Sequence, residues 1–81
     1  MSKEVEISDT KPDEPYYYEF VAGTSSKFWE ITVNGNSYTT RFGKIGTDGK
    51  ASTKEWASQE DSIKQATKQR NLKIKKGYVF K

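Results

Sequence analysis

Lys27-Phe28-Trp29-Glu30-Ile31-Thr32-Val33, then Asn34-Gly35-Asn36, then Ser37-Tyr38-Thr39-Thr40-Arg41-Phe42-Gly43-Lys44-Ile45: the reading of these residues decides the fold. Trp29, Ile31 and Val33 alternate with Phe28, Glu30 and Thr32, and a period of two is the pattern of a strand with one buried face. Asn-Gly between two such runs is the strongest short-range hairpin signal, because a tight turn between antiparallel strands needs positive φ. On the returning run Tyr38, Thr40 and Phe42 share one face. Thr39, Arg41 and Ile45 share the other, with Gly43 between the last two.

Working outward, Gly46-Thr47-Asp48-Gly49 carries a second turn signal, Asp-Gly. Lys50 to Ala57 then reads as a further strand, reaching Trp56. Upstream, the aromatic run Tyr16 to Ala22 reads as a strand, with Gly23-Thr24-Ser25-Ser26 as a polar loop. Downstream, Ser58 fits a helix N-cap, and Glu60 and Asp61 suit the positive first turn. Ile63, Ala66, Thr67, Arg70 and Ile74 recur at helical spacing and form a weakly apolar face expected to lie on the sheet. Gly77 fits the residue that ends the helix, and Tyr78-Val79-Phe80 returns as a short strand or packs as a hydrophobic tail. The expected fold is α+β: an antiparallel sheet of four or five strands in a meander, with one C-terminal helix packed on it. Residues 1–15, with two prolines and mostly acidic charge, read as a disordered lead-in, and residues 16–81 as the domain.

At 81 residues the chain is one domain at most. Hydrophobic residues are 32% of it and aromatics 14%, so the small core must rest on a few large rings, Trp29 and Trp56 among them. With no Cys and no His, zinc-finger, haem and iron–sulfur sites lack their usual ligands, and Ser–His and Cys–His nucleophiles are excluded. No metal, cofactor or catalytic activity is expected. No apolar run is long enough to span a bilayer, and the polar, acidic N-terminus does not read as a signal peptide. A cytoplasmic monomer is the expectation.

The net charge of +3 is unevenly placed: residues 1–20 carry −4, and residues 62–81 carry +7 through Lys64, Lys68, Arg70, Lys73, Lys75, Lys76 and Lys81. That basic quarter reads either as a surface for a polyanion or as a solvated helix face, where lysines near a helix C-terminus also suit the dipole.

Lys27 to Ile31, Tyr38 to Lys50, Trp56 and the ending Lys75-Lys76-Gly77-Tyr78 together resemble a WGR domain. The resemblance covers about residues 16–81 and implies the same antiparallel sheet with one helix. It also implies DNA binding, since WGR domains of poly(ADP-ribose) polymerases bind DNA near strand breaks. None of the catalytic activity of those polymerases is implied. At the triplet that names the family, Phe42 stands for Trp and Lys44 for Arg, with Gly43 kept. Phe can still stack, with less area and no N–H donor. Lys keeps the charge of Arg and loses its planar fork.

The candidate nucleic-acid contacts are Phe42, Lys44, Arg41, Arg70, Lys73, Lys75 and Lys76, with DNA favoured over RNA. Phe42 fits a stacking platform for a sugar or base, and equally a ring packed beside Tyr38. Lys44, on the Phe42 face, is the better phosphate ligand. Arg41 points to the opposite face unless Gly43 makes a bulge, and there it fits a pairing with Glu30 or Glu55. Gly43, Gly46, Gly49, Trp29, Trp56, Gly77 and Tyr78 are expected to be structural. The rival to a nucleic-acid module is an adaptor that binds an acidic protein.

Overall fold

In the computed structural model, which describes residues 10–81, the chain forms β1 (Tyr16–Ala22), β2 (Ser25–Asn34), β3 (Ser37–Lys44), β4 (Lys50–Glu55), α1 (Gln59–Lys76) and β5 (Val79–Phe80). The strands lie in the order β4-β3-β2-β1-β5, with neighbouring strands antiparallel. The expected meander is therefore present, and the chain's last strand returns beside its first.

Two-residue turns set the register. Gly23 and Gly35, at φ 58° and 62°, each take the first position of a tight turn, where a side chain would be strained. The second turn pairs Asn34 with Ser37, and this alone sets Val33 against Tyr38, Ile31 against Thr40 and Trp29 against Phe42. Tyr16 and Tyr18 join the same face from β1, opposite Ile31 and Trp29. α1 covers that face. The core is Tyr16, Tyr18, Trp29, Ile31, Val33, Tyr38 and Ala66, with Trp56, Ile63 and Tyr78 packed against it.

The helix begins where its cap dictates: Ser58 accepts a hydrogen bond from the Asp61 amide at 3.1 Å. It ends at Gly77, φ 108°. The Gly77 amide donates to the Ile74 carbonyl and the Tyr78 amide to the Lys73 carbonyl, both at 3.0 Å, the paired bonds of a Schellman ending. That ending turns Tyr78 back toward the sheet, where its ring meets Phe20 at 5.3 Å.

The buried stripe of α1 is Ser62, Ala66 and Arg70; Ala66 and Arg70 belong to the expected face, Ile63 of that face packs against the core, and the correction is that Ser62 joins it and Ile74 does not. Ile74 is 39% exposed. Ala66 and Ser62 are small enough to bring the helix close, and the Ser62 hydroxyl donates to the Gly35 and Gln59 carbonyls at 3.0 Å. The ordered chain was also expected to start at Tyr16, yet it packs from Thr10 on. Thr10 is buried beside Thr67, and the Asp13 amide donates to the Val33 carbonyl at 2.7 Å. The rest of the acidic lead-in lies outside the described residues.

The opposite face of the sheet has a small core of its own. Phe28 is buried there beneath the connection from β3 to β4, which folds back across the sheet. Gly43 and Gly49 permit this approach. A Cβ on Gly43 would stand 2.8 Å from the Gly49 Cα, and one on Gly49 would collide with the Phe42 carbonyl and the Phe28 ring. At Gly43 two stretches of backbone come close together. The partner is the Gly49 backbone.

Candidate nucleic-acid interface

α1 crosses β2 and β3 and leaves the far side of the sheet's helical face open. The result is a groove of about 730 Å³ between the helix and the β4 edge. Strand register supplies its floor, because residues facing each other across the ladder share a face. Lys27 stands opposite Lys44, Trp29 opposite Phe42, and Thr40 opposite Ser52. Lys54, opposite Tyr38, closes the far end. The helix wall contributes Gln69 and Lys73, and Tyr78 follows from the helix ending.

Phe42 is the open ring of this floor, at 45% exposure, while Trp29 opposite it is 5% exposed. Tyr38, its neighbour along β3, is buried and packs on Trp56 at 5.9 Å between ring centroids. Of the two readings that the sequence leaves for Phe42, packing beside Tyr38 or presenting a ring, the exposed ring is the one realised.

The electrostatics of the groove are of one sign. Lys27, Lys44, Lys54 and Lys73 line it, and no carboxylate does among the described residues. The Lys73 ammonium lies 5.4 Å from the centroid of the Trp29 ring and 5.2 Å from that of Tyr78. Burial lowers its pKa below the usual lysine value, and repulsion from Lys76 and Lys27 lowers it further. Lys76 lies on the same side of the helix as Gln69 and Lys73, by the spacing of three and four. Lys75 is two residues from Lys73, about 200° round the axis, and points away from the groove.

Two more expected contacts lie away from the groove. Arg41 sits on the opposite face of the sheet. Its Nε donates to Glu30 at 3.0 Å, its Nη1 donates to the Asp48 carbonyl at 2.8 Å, and its guanidinium lies 4.7 Å from the Phe28 ring centroid. It thus makes the expected Glu30 pairing and helps to cover Phe28. Arg70 corrects the sequence reading outright. It is 6% exposed and donates to the Tyr18 hydroxyl at 2.9 Å and to the Thr10 hydroxyl at 2.8 Å. Its guanidinium stacks 3.8 Å from the Tyr16 ring centroid. A side chain held in this way does not reach a phosphate.

Lys27, Lys54 and Gln69 were not anticipated. Strand register places Lys27 against Lys44 and Lys54 against Tyr38, and the turn residues alone do not fix it, because the first turn is Gly35-Asn36 and residues 43–49 lie between the paired Phe42 and Lys50. Gln69 depends on how the helix docks, and no local pattern encodes that.

Comparison with known proteins gives three likenesses. The family model of the WGR domain matches residues 15–81. The chain is 44% identical over 54 residues to the uncharacterized protein YfeS of Escherichia coli (strain K12), a span that takes in 67% of this chain and 22% of that protein. A crystal structure of a Bacteroides fragilis protein superposes with a TM-score of 0.83 at 37% identity, over 84% of this chain and 19% of that one. The chain thus spans about a fifth of the length of these two relatives.

Proposed function

Because this chain belongs to the WGR domain family, a family linked to nucleic-acid binding in poly(ADP-ribose) polymerases, we propose that it is a non-catalytic nucleic-acid-binding module of the cytoplasm, with DNA as its ligand. The observation that carries this reading is the groove, lined by no carboxylate among the described residues, with Lys27, Lys44, Lys54 and Lys73 around the exposed ring of Phe42. Lysines neutralise phosphates and release counterions, which supplies affinity without reading sequence. A half-exposed ring offers its face to a sugar or a base. Contacts to phosphates carry no sequence information, so binding led by these lysines has low sequence specificity. No described helix is long and apolar enough to cross a membrane, in keeping with a ligand met in solution.

The test is fluorescence anisotropy with labelled DNA at low and moderate salt. Wild-type protein is expected to bind with log K falling against log salt by about 0.7–0.9 per phosphate contacted. Phe42→Ala and the double variant Lys27→Gln/Lys44→Gln should both weaken binding. Arg41→Gln, on the other face, should not. No binding at low salt by folded protein would overturn the reading in favour of an acidic protein partner, to be sought with the same variants.

A further inference from the structure

The groove is asymmetric in a way that bears on the form of its ligand. On one side stands α1, whose Gln69 and Lys73 rise over Trp29. On the other lies β4, exposed along its whole length. The open floor between them is one to two strand spacings wide, roughly 5–10 Å. The helix beside it is about 10 Å across with its side chains, so Phe42 is recessed at the foot of a wall.

A base stacks on Phe42 only if one of its faces is free. Inside a duplex both faces of every base are covered by its neighbours, and the duplex offers the protein only backbone and groove edges. An unpaired nucleotide has a free face and is narrow enough to enter.

The cations follow the same line. Lys27 and Lys44 face each other across β2 and β3 at one end, an opposition of like charges that costs the free protein stability and that an intervening phosphate relieves. Lys50 flanks Phe42 from β4, and Lys54 lies at the other end opposite Tyr38. From Lys44 to Tyr38 the track runs along β3 for roughly 20 Å, at about 3.3 Å per residue. The hydroxyls of Thr40 and Ser52 and the Gln69 amide line it between the charges.

From the recessed ring and the track of lysines along β3, we infer that the groove takes an unpaired single strand, laid along β3 with a base on Phe42, in preference to intact duplex. This inference rests on the nucleic-acid reading of the same site.

The experiment compares three DNA probes: an oligothymidylate, a blunt duplex, and a relaxed, covalently closed duplex circle. Anisotropy reports on the labelled linear probes, competition reports on the circle, and quenching of the tryptophans reports entry into the groove. The oligothymidylate is expected to bind at least about tenfold tighter than the blunt duplex, with the circle weaker still. Phe42→Leu keeps an apolar side chain and removes the ring. It should weaken the oligothymidylate by about tenfold, the scale of one lost base stack, and leave duplex binding nearly unchanged. Lys54→Gln, on the exposed β4 strand, should weaken the oligothymidylate without altering the melting temperature. Equal or tighter binding of either duplex, or an equal loss on all three probes from Phe42→Leu, overturns the single-strand inference while leaving nucleic-acid binding intact. Binding of none of the probes overturns both.

Discussion

Lys73 holds its charge against its surroundings. It is half-buried on Trp29 and Tyr78 and repelled by Lys76 and Lys27, and its pKa lies below the free value of 10.5. The folded chain therefore binds fewer protons than the unfolded chain between that lowered value and 10.5, so stability rises as pH rises through this window and is lower beneath it. We expect the urea midpoint of the wild type to rise as pH climbs through that window, and Lys73→Gln to lose that rise. Tyr38 acts in the opposite sense. Its hydroxyl is raised above 10.0 by burial, so its contribution is lost as pH climbs past 10.0, which sets the upper limit of the measurement. A bound phosphate favours the protonated amine, so DNA affinity should fall over the window in which free stability rises. An affinity that stays flat through that window would remove Lys73 from the contact set.

At the scale of the element, the connection from β3 to β4 is the part most dependent on particular residues. The Thr47 amide and hydroxyl both donate to the Lys44 carbonyl, at 3.0 and 2.7 Å, and the Ile45 amide donates to the Ser26 carbonyl at 3.1 Å. The loop then covers Phe28. Gly49→Ala combines positive φ with a collision against the Phe42 carbonyl and the Phe28 ring, and should cost about 3 kcal/mol or more. Gly46→Ala meets open space at φ 97° and should cost only the backbone strain, about 1–2 kcal/mol. Urea unfolding of the two variants checks the ranking; equal losses would mean that the loop does not seat on Phe28. The spacing of these glycines is visible in the sequence as turn chemistry. Their packing is not, because Gly49 meets Phe28 only after β2 and β3 have paired.

Across the whole molecule, the two faces of the sheet have separate tasks. The helical face holds the core and the lysine groove. The other holds Phe28, Arg41 and Glu30. The segment before β1 belongs to the folded unit, since Thr10 bonds to both Thr67 and Arg70 and Pro12 bridges to Val33. A chain starting at Tyr16 should therefore melt well below one starting at Thr10, at about 4–8 °C for each kcal/mol lost in a domain of this size. Equal melting temperatures would show that residues 10–15 contribute nothing to stability.

The sequence by itself determined the elements and their order. Alternation in Phe28–Val33, Asn34-Gly35, the Ser58 cap and the Gly77 ending are local chemistry, each legible within a few residues. The sequence offered Asn34-Gly35 as the turn, but the turn that forms is Gly35-Asn36, so the register that sets Trp29 against Phe42 and Lys27 against Lys44 was decided in the folded hairpin. Only the tertiary structure decided which face the helix would cover, and from that came the rest. It drew Arg70 inward to Tyr18 and Thr10, left Phe42 open, and set Lys73 over Trp29. Arg70 and Lys73 are three residues apart on one basic helix, and no local pattern separates them. Their different roles come from where an 18-residue helix crosses a sheet, which is settled by side chains distant in the chain meeting in a close-packed interior.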